Sequence, residues 1–157
     1  MSATRFDWNG RRALVTGAGG FIGSHLVAAL VKNGATVRAL VRYNSRGTFG
    51  WLNDLGPDLL RHVEVVQGDL RDADYILRLT SAQAYVFHLG AIISIPYSYV
   101  NPSEVTVVNV AGTLNVLNAC RAAGVQRLIH TSTSEVYGSA RYVPIDESHL
   151  LQGQSPY

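Results

Sequence analysis

Four hydroxyl side chains followed by a carboxylate occur together in the segment "TSTSEVYG", residues 131–138. Thr133, Ser134 and Glu135 lie at its centre, directly after an apolar run. Hydroxyl groups and a carboxylate can donate, accept and relay protons, which is the chemistry of general acid–base catalysis. The alternative is a polar turn in which these side chains satisfy backbone groups at a strand end. The elements that surround the segment decide between the two interpretations.

A second candidate for chemistry is the glycine-rich segment "VTGAGGFIGSH". Gly17 permits a tight turn, Gly20 lets the backbone approach a pyrophosphate, and Gly23 lets a helix pack against a strand. Backbone N–H groups at the helix start, around Phe21 and Ile22, present partial positive charge to phosphates. A strand precedes these glycines and a helix follows them. The pattern therefore predicts a dinucleotide-binding loop, in preference to a glycine-rich turn without a ligand.

Strand and helix patterns alternate along the chain. The predicted strands are short apolar runs at 12–17, 35–41, 62–69, 84–91 and 125–133. The main predicted helices lie between them at 21–34, 71–82 and 101–124. Apolar strands that alternate with helices imply a parallel sheet that is covered on both faces. The predicted fold class is therefore α/β, a Rossmann-type doubly wound sheet.

The longest predicted helix has Asn101 as its N-cap, Pro102 as its first residue and Gly124 at its end. Its apolar residues recur at helical spacing, at Val107, Val110, Leu114, Leu117 and Cys120. The segment 42–61 is too long for an inert loop in a compact domain. We expect its "TFGWLNDL" stretch to form a short helix.

The end of the second strand, "RALVRYNSRG", bears on which dinucleotide the chain binds. NAD-binding folds ordinarily place Asp or Glu there to hold the ribose 2′-hydroxyl, whereas this sequence has Val41. Arg42 or Arg46 could pair with a 2′-phosphate, and Asn44 and Ser45 could donate hydrogen bonds to it. The sequence favours NADP(H), with NAD(H) as the second choice. Without a ligand, the arginines would be solvated loop charges.

The ends of the third and fourth strands supply further candidates for cofactor binding. Asp69 could accept a hydrogen bond from the adenine amino group, with Leu70 against the ring, or it could cap the helix that follows. Leu89, Gly90 and Ala91 end the fourth strand, at the carboxyl edge where ligands bind in such sheets. We expect these three residues to lie along the cofactor.

Composition excludes several other classes of function. The chain has 13 Lys and Arg against 11 Asp and Glu, and these charges are scattered, so nucleic-acid binding is not supported. Cys120 is the single cysteine and cannot form an internal disulfide, which fits a reducing compartment. The sequence shows no signal-peptide core, no apolar stretch of membrane-spanning length and no metal-ligand cluster. We expect a cytoplasmic protein that binds no metal.

Five segments together identify a family resemblance: "TGAGGFIGSHL", "GDLRD", "FHLGA", "NVAGTLNVLNA" and "TSTSEVYG". In this order and spacing they resemble the extended short-chain dehydrogenase/reductases of the NAD-dependent epimerase/dehydratase family, which modify nucleotide sugars. "YNSRGTFGWL" and "IPYSYVNP" look most like the UDP-N-acetylglucosamine 4,6-dehydratases of the legionaminic-acid type. The resemblance implies that residues 1–157 form the N-terminal portion of an NAD(P)-binding Rossmann domain. The remainder of that fold and the substrate domain would lie beyond this chain.

The resemblance also implies catalytic roles. Thr133 matches the family's Ser or Thr after the fifth strand, and Tyr157 in "SPY" matches the tyrosine of its Tyr-x-x-x-Lys motif. In the implied first step a tyrosinate takes the proton of the sugar C4 hydroxyl while hydride passes to the nicotinamide. Thr133 would hydrogen-bond the reacting oxygen. The partner lysine would lie beyond the chain, so we expect these residues alone to be inactive.

The implied second step is elimination of water. Once C4 is a ketone, the C5 proton is acidic, and Glu135 is placed in sequence to remove it. The dehydratases that the chain resembles carry Asp-Glu after the Thr, whereas here Ser134 replaces that Asp. Glu135 would then serve as base and acid, or a water would assist. "TSTSEVYG" also resembles UDP-glucuronate decarboxylases, and 4-epimerases usually lack an acid at this position. A non-catalytic NAD(P)-sensing module is the alternative outside enzymes.

The resemblance extends to substrate and partner. Ser94 and Tyr97, in "GAIISIPYSY", would face a nucleotide sugar, unless this stretch is only an apolar lid. Asn109 would bond backbone near the site, and Tyr137 would be structural or would line the substrate. Family members often dimerise through the long helix and the helix that follows Tyr157, so the full-length protein is expected to be a homodimer.

Overall fold

The sheet has the predicted topology. The computed structural model describes residues 6–157 and contains a five-stranded sheet. Its strands are β1 (Arg12–Thr16), β2 (Thr36–Val41), β3 (Val63–Gln67), β4 (Tyr85–His88) and β5 (Arg127–His130). The strand order is β3-β2-β1-β4-β5, and all neighbouring strands run parallel. This is the doubly wound Rossmann arrangement that alternating strand and helix patterns predict.

Helices and short turns connect the strands. The helices are α1 (Phe21–Lys32), α2 (Pro57–Leu60), α3 (Ala73–Thr80), α4 (Ile95–Val100), α5 (Pro102–Thr106) and α6 (Gly112–Ala123). A π-helical turn, Val107–Ala111, joins α5 to α6, so the long predicted helix is continuous but irregular. A 3-10 turn at Gly50–Asp54 confirms the short helix expected in "TFGWLNDL".

Two apolar cores lie on opposite faces of the sheet. Strand β1 contributes to both, because Ala13 and Val15 enter one core and Leu14 enters the other. Helix α1 covers the first core with Val27 and Leu30. Helices α3 and α6 cover the second core with Ile76, Leu79, Val116 and Ala119. Helices on both faces complete the predicted α/β fold.

The long helix presents two apolar rows, and the row read from the sequence is mainly the exposed one. Val107, Val110, Leu114 and Leu117 face solvent, while Cys120 is buried. The side chains that pack on the sheet are Val108, Val116, Ala119 and Cys120. Spacing alone cannot tell which of two apolar rows faces the sheet. Asn101 precedes the helix as predicted, but its side chain makes no capping hydrogen bond.

The central strand and the edge strand β5 differ in their surroundings. Strand β1 lies at the centre and is buried along most of its length, whereas β5 is an edge strand with Arg127, Ile129 and His130 exposed. After β5 the chain makes one 3-10 turn, Ser134–Tyr137, and then continues without helix or strand to residue 157. The catalytic candidates therefore lie on the least regular part of the described chain.

Candidate functional site

A cavity of about 860 Å³ lies at the carboxyl edge of the sheet. Backbone and side chains after all five strands line it, which is where ligands bind in parallel α/β sheets. The predicted residues that line it are Gly17, Gly20, Phe21, Ile22, Gly23, Arg42, Asn44, Asp69, Leu70, Leu89, Gly90, Ala91, Thr133, Glu135 and Tyr157. A second hollow, of about 540 Å³, lies beside Gly34 and His62 near the opposite edge and contains none of them.

The glycine loop is packed so closely that it excludes side chains. Gly17 has φ +67°, and a Cβ there would lie 2.8 Å from the backbone nitrogen of Gly90. A Cβ on Gly23 would lie 2.2 Å from the carbonyl oxygen of Gly17. No side chain caps the start of α1, which lines the cavity with Phe21 and Ile22. This wall of backbone and open helix N-terminus suits phosphate groups.

The loop at 42–61 supports the glycine loop from outside. The backbone N–H of Trp51 donates to the carbonyl oxygen of Gly19 at 3.0 Å. Gly50 has φ +64°, and a Cβ there would lie 2.3 Å from the same oxygen. Leu52 is fully buried in the first core and anchors the turn. The segment is therefore a structural part of the site.

A buried polar chain links β1, β4 and the long helix below the cavity. The hydroxyl oxygen of Thr16 accepts hydrogen bonds from the backbone nitrogens of Leu89 (3.2 Å) and Gly90 (3.0 Å). Its own hydrogen is then free to donate to Nδ1 of His88, 2.7 Å away. Nε2 of His88 donates in turn to the hydroxyl of Thr113 at 2.9 Å. The chain fixes the Leu89–Gly90 backbone against the glycine loop.

This hydrogen-bond chain requires a neutral imidazole, because Nδ1 of His88 accepts. Burial, together with the smaller effect of nearby His130, lowers the pKa of His88 to about 4. The two imidazole rings stack with centroids 5.2 Å apart. His88 is thus uncharged near neutral pH and acts as a fixed donor and acceptor.

The long helix positions two loops at the cavity. Asn109 accepts from the backbone nitrogen of Ile92 at 2.8 Å and donates to its carbonyl oxygen at 2.9 Å, which confirms the expected backbone bond. Asn115 donates to the carbonyl oxygen of Leu70 at 2.9 Å. One helix therefore holds both the loop after β3 and the loop after β4.

Arg42, Asn44, Asp69 and Leu70 line one part of the cavity, which we name the adenosine end because the sequence predicts adenine and ribose contacts there. This part is rich in polar contacts. Asn44 organises its own loop: it donates to the carbonyl oxygen of Thr48 at 2.7 Å and accepts from two backbone nitrogens. Ser45 and Arg46 do not line the cavity. The Asn44 side chain is thus engaged in holding the loop that carries Arg42.

Asp69 is held by an arginine. Arg71 donates to its two carboxylate oxygens at 2.9 and 2.5 Å and through its backbone nitrogen at 2.9 Å. These bonds hold the pKa of Asp69 below its ordinary value. The proposed helix cap at Asp69 is wrong, because Asp72 caps α3 by accepting from the backbone nitrogen of Tyr75 at 2.9 Å. Asp72, not Asp69, directly precedes the first helical residue.

Arg42 also has an acidic partner, from a distant segment. Its Nη2 lies 3.4 Å from Oε1 of Glu104, in the first turn of α5. The hydroxyl of Tyr97 donates to the other carboxylate oxygen of Glu104. Tyr97, predicted to face a sugar, is thus directed toward this pair, and neither it nor Ser94 lines the cavity. Ser94 instead caps α4, and apolar Ile92, Ile93 and Ile95 line this part of the wall.

The catalytic candidates meet the cofactor loop at the same cavity. Thr133 accepts a hydrogen bond from the backbone nitrogen of Glu135 at 3.2 Å, which leaves its hydroxyl hydrogen available to donate. Glu135 and Tyr157 line the cavity with it. Ser134 lies in the 3-10 turn and does not line the cavity.

Polar contacts of the irregular segment 138–157 bring Tyr157 to this position. The backbone nitrogen of Gln152 donates to the carbonyl oxygen of Val136 at 2.8 Å, and Tyr99 donates to the carbonyl oxygen of Gln154 at 2.8 Å. His149 is buried, and its Nε2 accepts from the backbone nitrogen of Arg141 at 3.0 Å. Tyr137 packs edge-on against His149 and does not line the cavity, so its role in the structure is packing.

Comparison with known proteins gives the family. Residues 14–157 match the family model described as GDP-mannose 4,6 dehydratase. The chain belongs to the extended short-chain dehydrogenase/reductases. A dTDP-D-glucose 4,6-dehydratase of Mus musculus is 34% identical over 150 residues, covering 94% of this chain and 42% of that protein. The chain spans less than half the length of this relative.

Solved structures of the family agree with the fold. A UDP-N-acetylglucosamine 4-epimerase from Methanobrevibacter ruminantium M1, in complex with UDP-N-acetylmuramic acid, superposes with a TM-score of 0.84 at 32% identity. The match covers 95% of this chain and 46% of that one. A UDP-glucose 4-epimerase from Stenotrophomonas maltophila, with bound NAD and formylated UDP-arabinopyranose, has a TM-score of 0.78 at 27% identity. It covers 94% of this chain and 44% of that epimerase.

For this extended short-chain dehydrogenase/reductase, sequence reasoning missed several residues at the site. Glu104 belongs to none of the motifs, and it reaches Arg42 across 62 positions of sequence. The Thr16–His88–Thr113 chain gave no motif signal, although a buried histidine between hydroxyls is usually hydrogen-bonded.

Residues 6–157 contain neither a helix that could span a membrane nor a group of metal ligands. None of the helices in this range has the length and apolarity that crossing a bilayer requires. The same residues contain no group of three or more His, Cys, Asp or Glu side chains arranged to hold a metal ion.

Proposed function

We propose that the full-length protein is a nucleotide-sugar 4,6-dehydratase that acts on a UDP-sugar, with UDP-N-acetylglucosamine as the first candidate. One observation carries the proposal: Thr133, Glu135 and Tyr157 line the same cavity as the glycine loop. A hydroxyl pair for proton transfer and a carboxylate for a second proton thus share one site. The dehydratase family model and the 34% identical mouse dehydratase are consistent with this reaction.

The cavity fits a nicotinamide dinucleotide. Its volume of about 860 Å³ is in the range of cofactor sites, roughly 300–1,000 Å³. Gly17 and Gly20 line it with backbone, and the uncapped start of α1 adjoins them. Such a cofactor, when bound, accepts a hydride from the sugar and later returns it. The epimerase from S. maltophila has NAD bound.

Residues of this chain would carry out the proton transfers. Tyr157 accepts the proton of the sugar C4 hydroxyl, and the Thr133 hydroxyl donates a hydrogen bond to that oxygen. With C4 a ketone, Glu135 removes the proton from C5 and gives it to the C6 hydroxyl, which leaves as water. Return of the hydride to C6 and uptake of a proton at C5 complete the product. Because Ser134 lies outside the cavity, Glu135 is the proton donor in this scheme, directly or through a water.

Glu135→Gln in the full-length protein tests this role. We expect the variant to form the C4 ketone but to release no dehydrated sugar, by mass spectrometry of the products. Glu147→Gln is the matched control, because Glu147 is an exposed carboxylate of the same segment that does not line the cavity. Normal dehydration by the Glu135 variant would exclude the role.

The second candidate reaction is 4-epimerisation of a UDP-sugar. It is favoured by the solved structures from M. ruminantium and S. maltophila, whose proteins are both 4-epimerases. Incubation with a panel of UDP-sugars separates the candidates, because dehydration lowers the mass of the sugar by one water and epimerisation leaves it unchanged. Loss of carbon dioxide from UDP-glucuronate would instead indicate decarboxylation.

We further propose NADP(H) as the preferred cofactor, with NAD(H) also accepted. Support comes from Arg42, which lines the adenosine end, and from the absence of an acid at Val41. Arg42→Ala should weaken NADPH binding at least about tenfold, as expected for loss of a charge-assisted hydrogen bond, and leave NADH little changed. Arg46→Ala is the control, because Arg46 lies outside the cavity. Equal NADPH affinity in the Arg42 variant would exclude the assignment.

A homodimer through the long helix is the proposed assembly. The exposed apolar row supports it, since Val110, Leu114 and Leu117 are 64%, 54% and 47% exposed. Leu114→Arg should convert a dimer of the full-length protein to monomer in light-scattering measurements. Leu151→Arg, which changes an exposed leucine elsewhere, should leave the dimer intact. A wild-type monomer would contradict the proposal.

A further inference from the structure

A second carboxylate, which the motif at the end of β2 does not reveal, contacts the adenosine end through Arg42 without itself lining the cavity. Glu104 reaches Arg42 from α5, and the distance between Oε1 and Nη2 is 3.4 Å. The Glu104 side chain is 30% exposed and that of Arg42 is 64% exposed. Arg42 also lines the cavity, so its guanidinium borders both Glu104 and the space for the ligand.

Glu104 is held in place and kept ionised by its neighbours. The Tyr97 hydroxyl donates to its second carboxylate oxygen. This bond, with smaller contributions from Arg42 and Arg71, keeps the pKa of Glu104 below its ordinary value. The carboxylate therefore carries its negative charge at neutral pH.

The charges at this end are already balanced before a ligand binds. Arg71 pairs with Asp69, and Arg42 pairs with Glu104. A ribose 2′-phosphate would bring two negative charges to a cluster whose formal charge is zero. Arg42 alone would attract that phosphate, but Glu104 competes for the same guanidinium and repels the phosphate. A ribose 2′-hydroxyl, as in NAD, carries no charge and is therefore not repelled by Glu104.

We propose that Glu104 is a specificity-determining residue that limits the preference for NADP(H), with Tyr97 as the residue that positions it. The inference rests on the proposed dinucleotide binding. Arg42 and Glu104 act in opposite directions on the 2′-position. The balance between them, and not the end of β2 alone, sets the ratio of NADPH to NADH affinity.

Fluorescence titration of NADPH and NADH against nucleotide-free full-length protein tests the proposal. Glu104→Gln keeps the shape and the acceptor for Tyr97 but removes the charge. It should lower the Kd for NADPH about tenfold and change the Kd for NADH by less than about twofold. Salt should reduce the gain, since the effect is electrostatic.

Glu64→Gln is the matched control. Glu64 forms an ion pair with Arg38 of β2 at 2.8 Å, and it borders the hollow at the other edge of the sheet. This variant loses the same charge and should leave both affinities unchanged. An equal shift in the Glu64 variant, or an unchanged ratio in the Glu104 variant, would overturn the proposal.

Two further variants keep the test decisive. Tyr97→Phe frees Glu104 without removing its charge and should raise NADPH affinity in the same direction by a smaller factor, even if Glu104→Gln folds poorly. In an Arg42→Ala background the Glu104→Gln gain should shrink, because the contested guanidinium is gone. If the effects of the two substitutions on NADPH affinity were fully additive, the proposed competition would be excluded.

If wild-type protein binds neither nucleotide, both the proposed function and this inference are excluded. Binding of both with an unchanged ratio overturns only the inference.

Discussion

Residues 12–91, the proposed cofactor-binding half, and residues 131–157, the proposed catalytic segment, are held in shape by different forces. In the first, β1 is buried between two apolar cores, and close backbone contacts at Gly17 and Gly23 set the loop. In the second, an exposed edge strand leads into irregular chain that polar contacts hold, such as the bond from Gln152 to Val136. The glycine loop is positioned by packing and the candidate catalytic groups by hydrogen bonds.

This difference predicts different sensitivity to substitution. Interior packing tolerates little change in volume, so changes in the first region should reduce global stability. Exposed segments open at low cost, so changes in the second should alter activity more than unfolding. A substitution that violates this division would weaken the comparison.

The largest effect is expected at Gly17. Gly17→Ala combines a left-handed backbone with a Cβ placed 2.8 Å from Gly90, and should destabilise the protein by roughly 3–5 kcal/mol. Gly47→Ala is the control, because Gly47 has φ +62° with nothing within 4 Å, and should cost only about 1–2 kcal/mol. Urea denaturation of both variants measures the difference. Equal losses would show that the close packing at Gly17 is unimportant.

A pair of leucines tests the comparison directly. Leu14→Ala, at a fully buried position of β1, should cost about 3 kcal/mol through lost burial and the cavity it leaves. Leu151→Ala, 69% exposed in the catalytic segment, should change the free energy of unfolding by less than about 0.5 kcal/mol. Midpoints of chemical denaturation report both values. A large loss at Leu151 would mean that the catalytic segment belongs to the cooperative core.

Acid should destabilise the first region through His88. Its pKa is about 4 in the folded protein and 6.5 in the unfolded chain, so the unfolded chain takes up the proton first. The contribution of neutral His88 to the free energy of unfolding is complete above pH 6.5 and is lost as the pH falls toward 4. Between pH 7 and about pH 4.5 the loss should be on the order of 2–3 kcal/mol.

The variant His88→Gln provides the measurement for that loss. Its unfolding free energy should vary less with pH than that of wild type over the same range, after both are measured by urea titration. Identical pH profiles would show that the buried imidazole is not the titrating group.

Among the tested residues at the candidate site, Thr133 is expected to show the smallest change in stability. Thr133→Val removes only the bond from the Glu135 backbone nitrogen, so stability should fall by about 1 kcal/mol or less. Turnover of the full-length protein should nevertheless drop strongly, and Thr133→Ser, which restores a hydroxyl, should recover it. Steady-state kinetics beside thermal unfolding separates the two effects. Full activity in Thr133→Val would leave the hydroxyl with a structural role alone.

The same division governs what the sequence could predict. The positions of the strands, the glycine turn and the short helix in "TFGWLNDL" follow from local patterns, because apolar runs and glycine spacing directly reflect burial and backbone geometry. The outward row at Val110 and Leu114 was indistinguishable by period from the inward one. Asp69 and Asp72 lie three positions apart, so the helix cap could be assigned only if the first residue of α3 were known more closely than that.

Several side-chain contacts between distant segments were beyond sequence reasoning. The approach of Glu104 to Arg42 and the bond of His88 to Thr113 join residues that no spacing rule relates. Tyr97 shows the same limit, since its position near the predicted sugar site gave no sign that its hydroxyl bonds Glu104. Such polar pairings depend on the folded arrangement of whole elements.

The π turn at Val107–Ala111 constrains how the length of the long helix can vary. A π turn contains one residue more than an α turn, and each residue of an α-helix advances the side-chain direction by about 100°. Deleting one residue here would restore a regular helix but would rotate Asn109 out of phase with Thr113 and Asn115. The loops after β3 and β4 could then no longer both be bonded. The extra residue keeps Asn109 at the correct angle around the helix relative to Thr113 and Asn115. A single-residue deletion should therefore destabilise the protein more here than in an exposed turn.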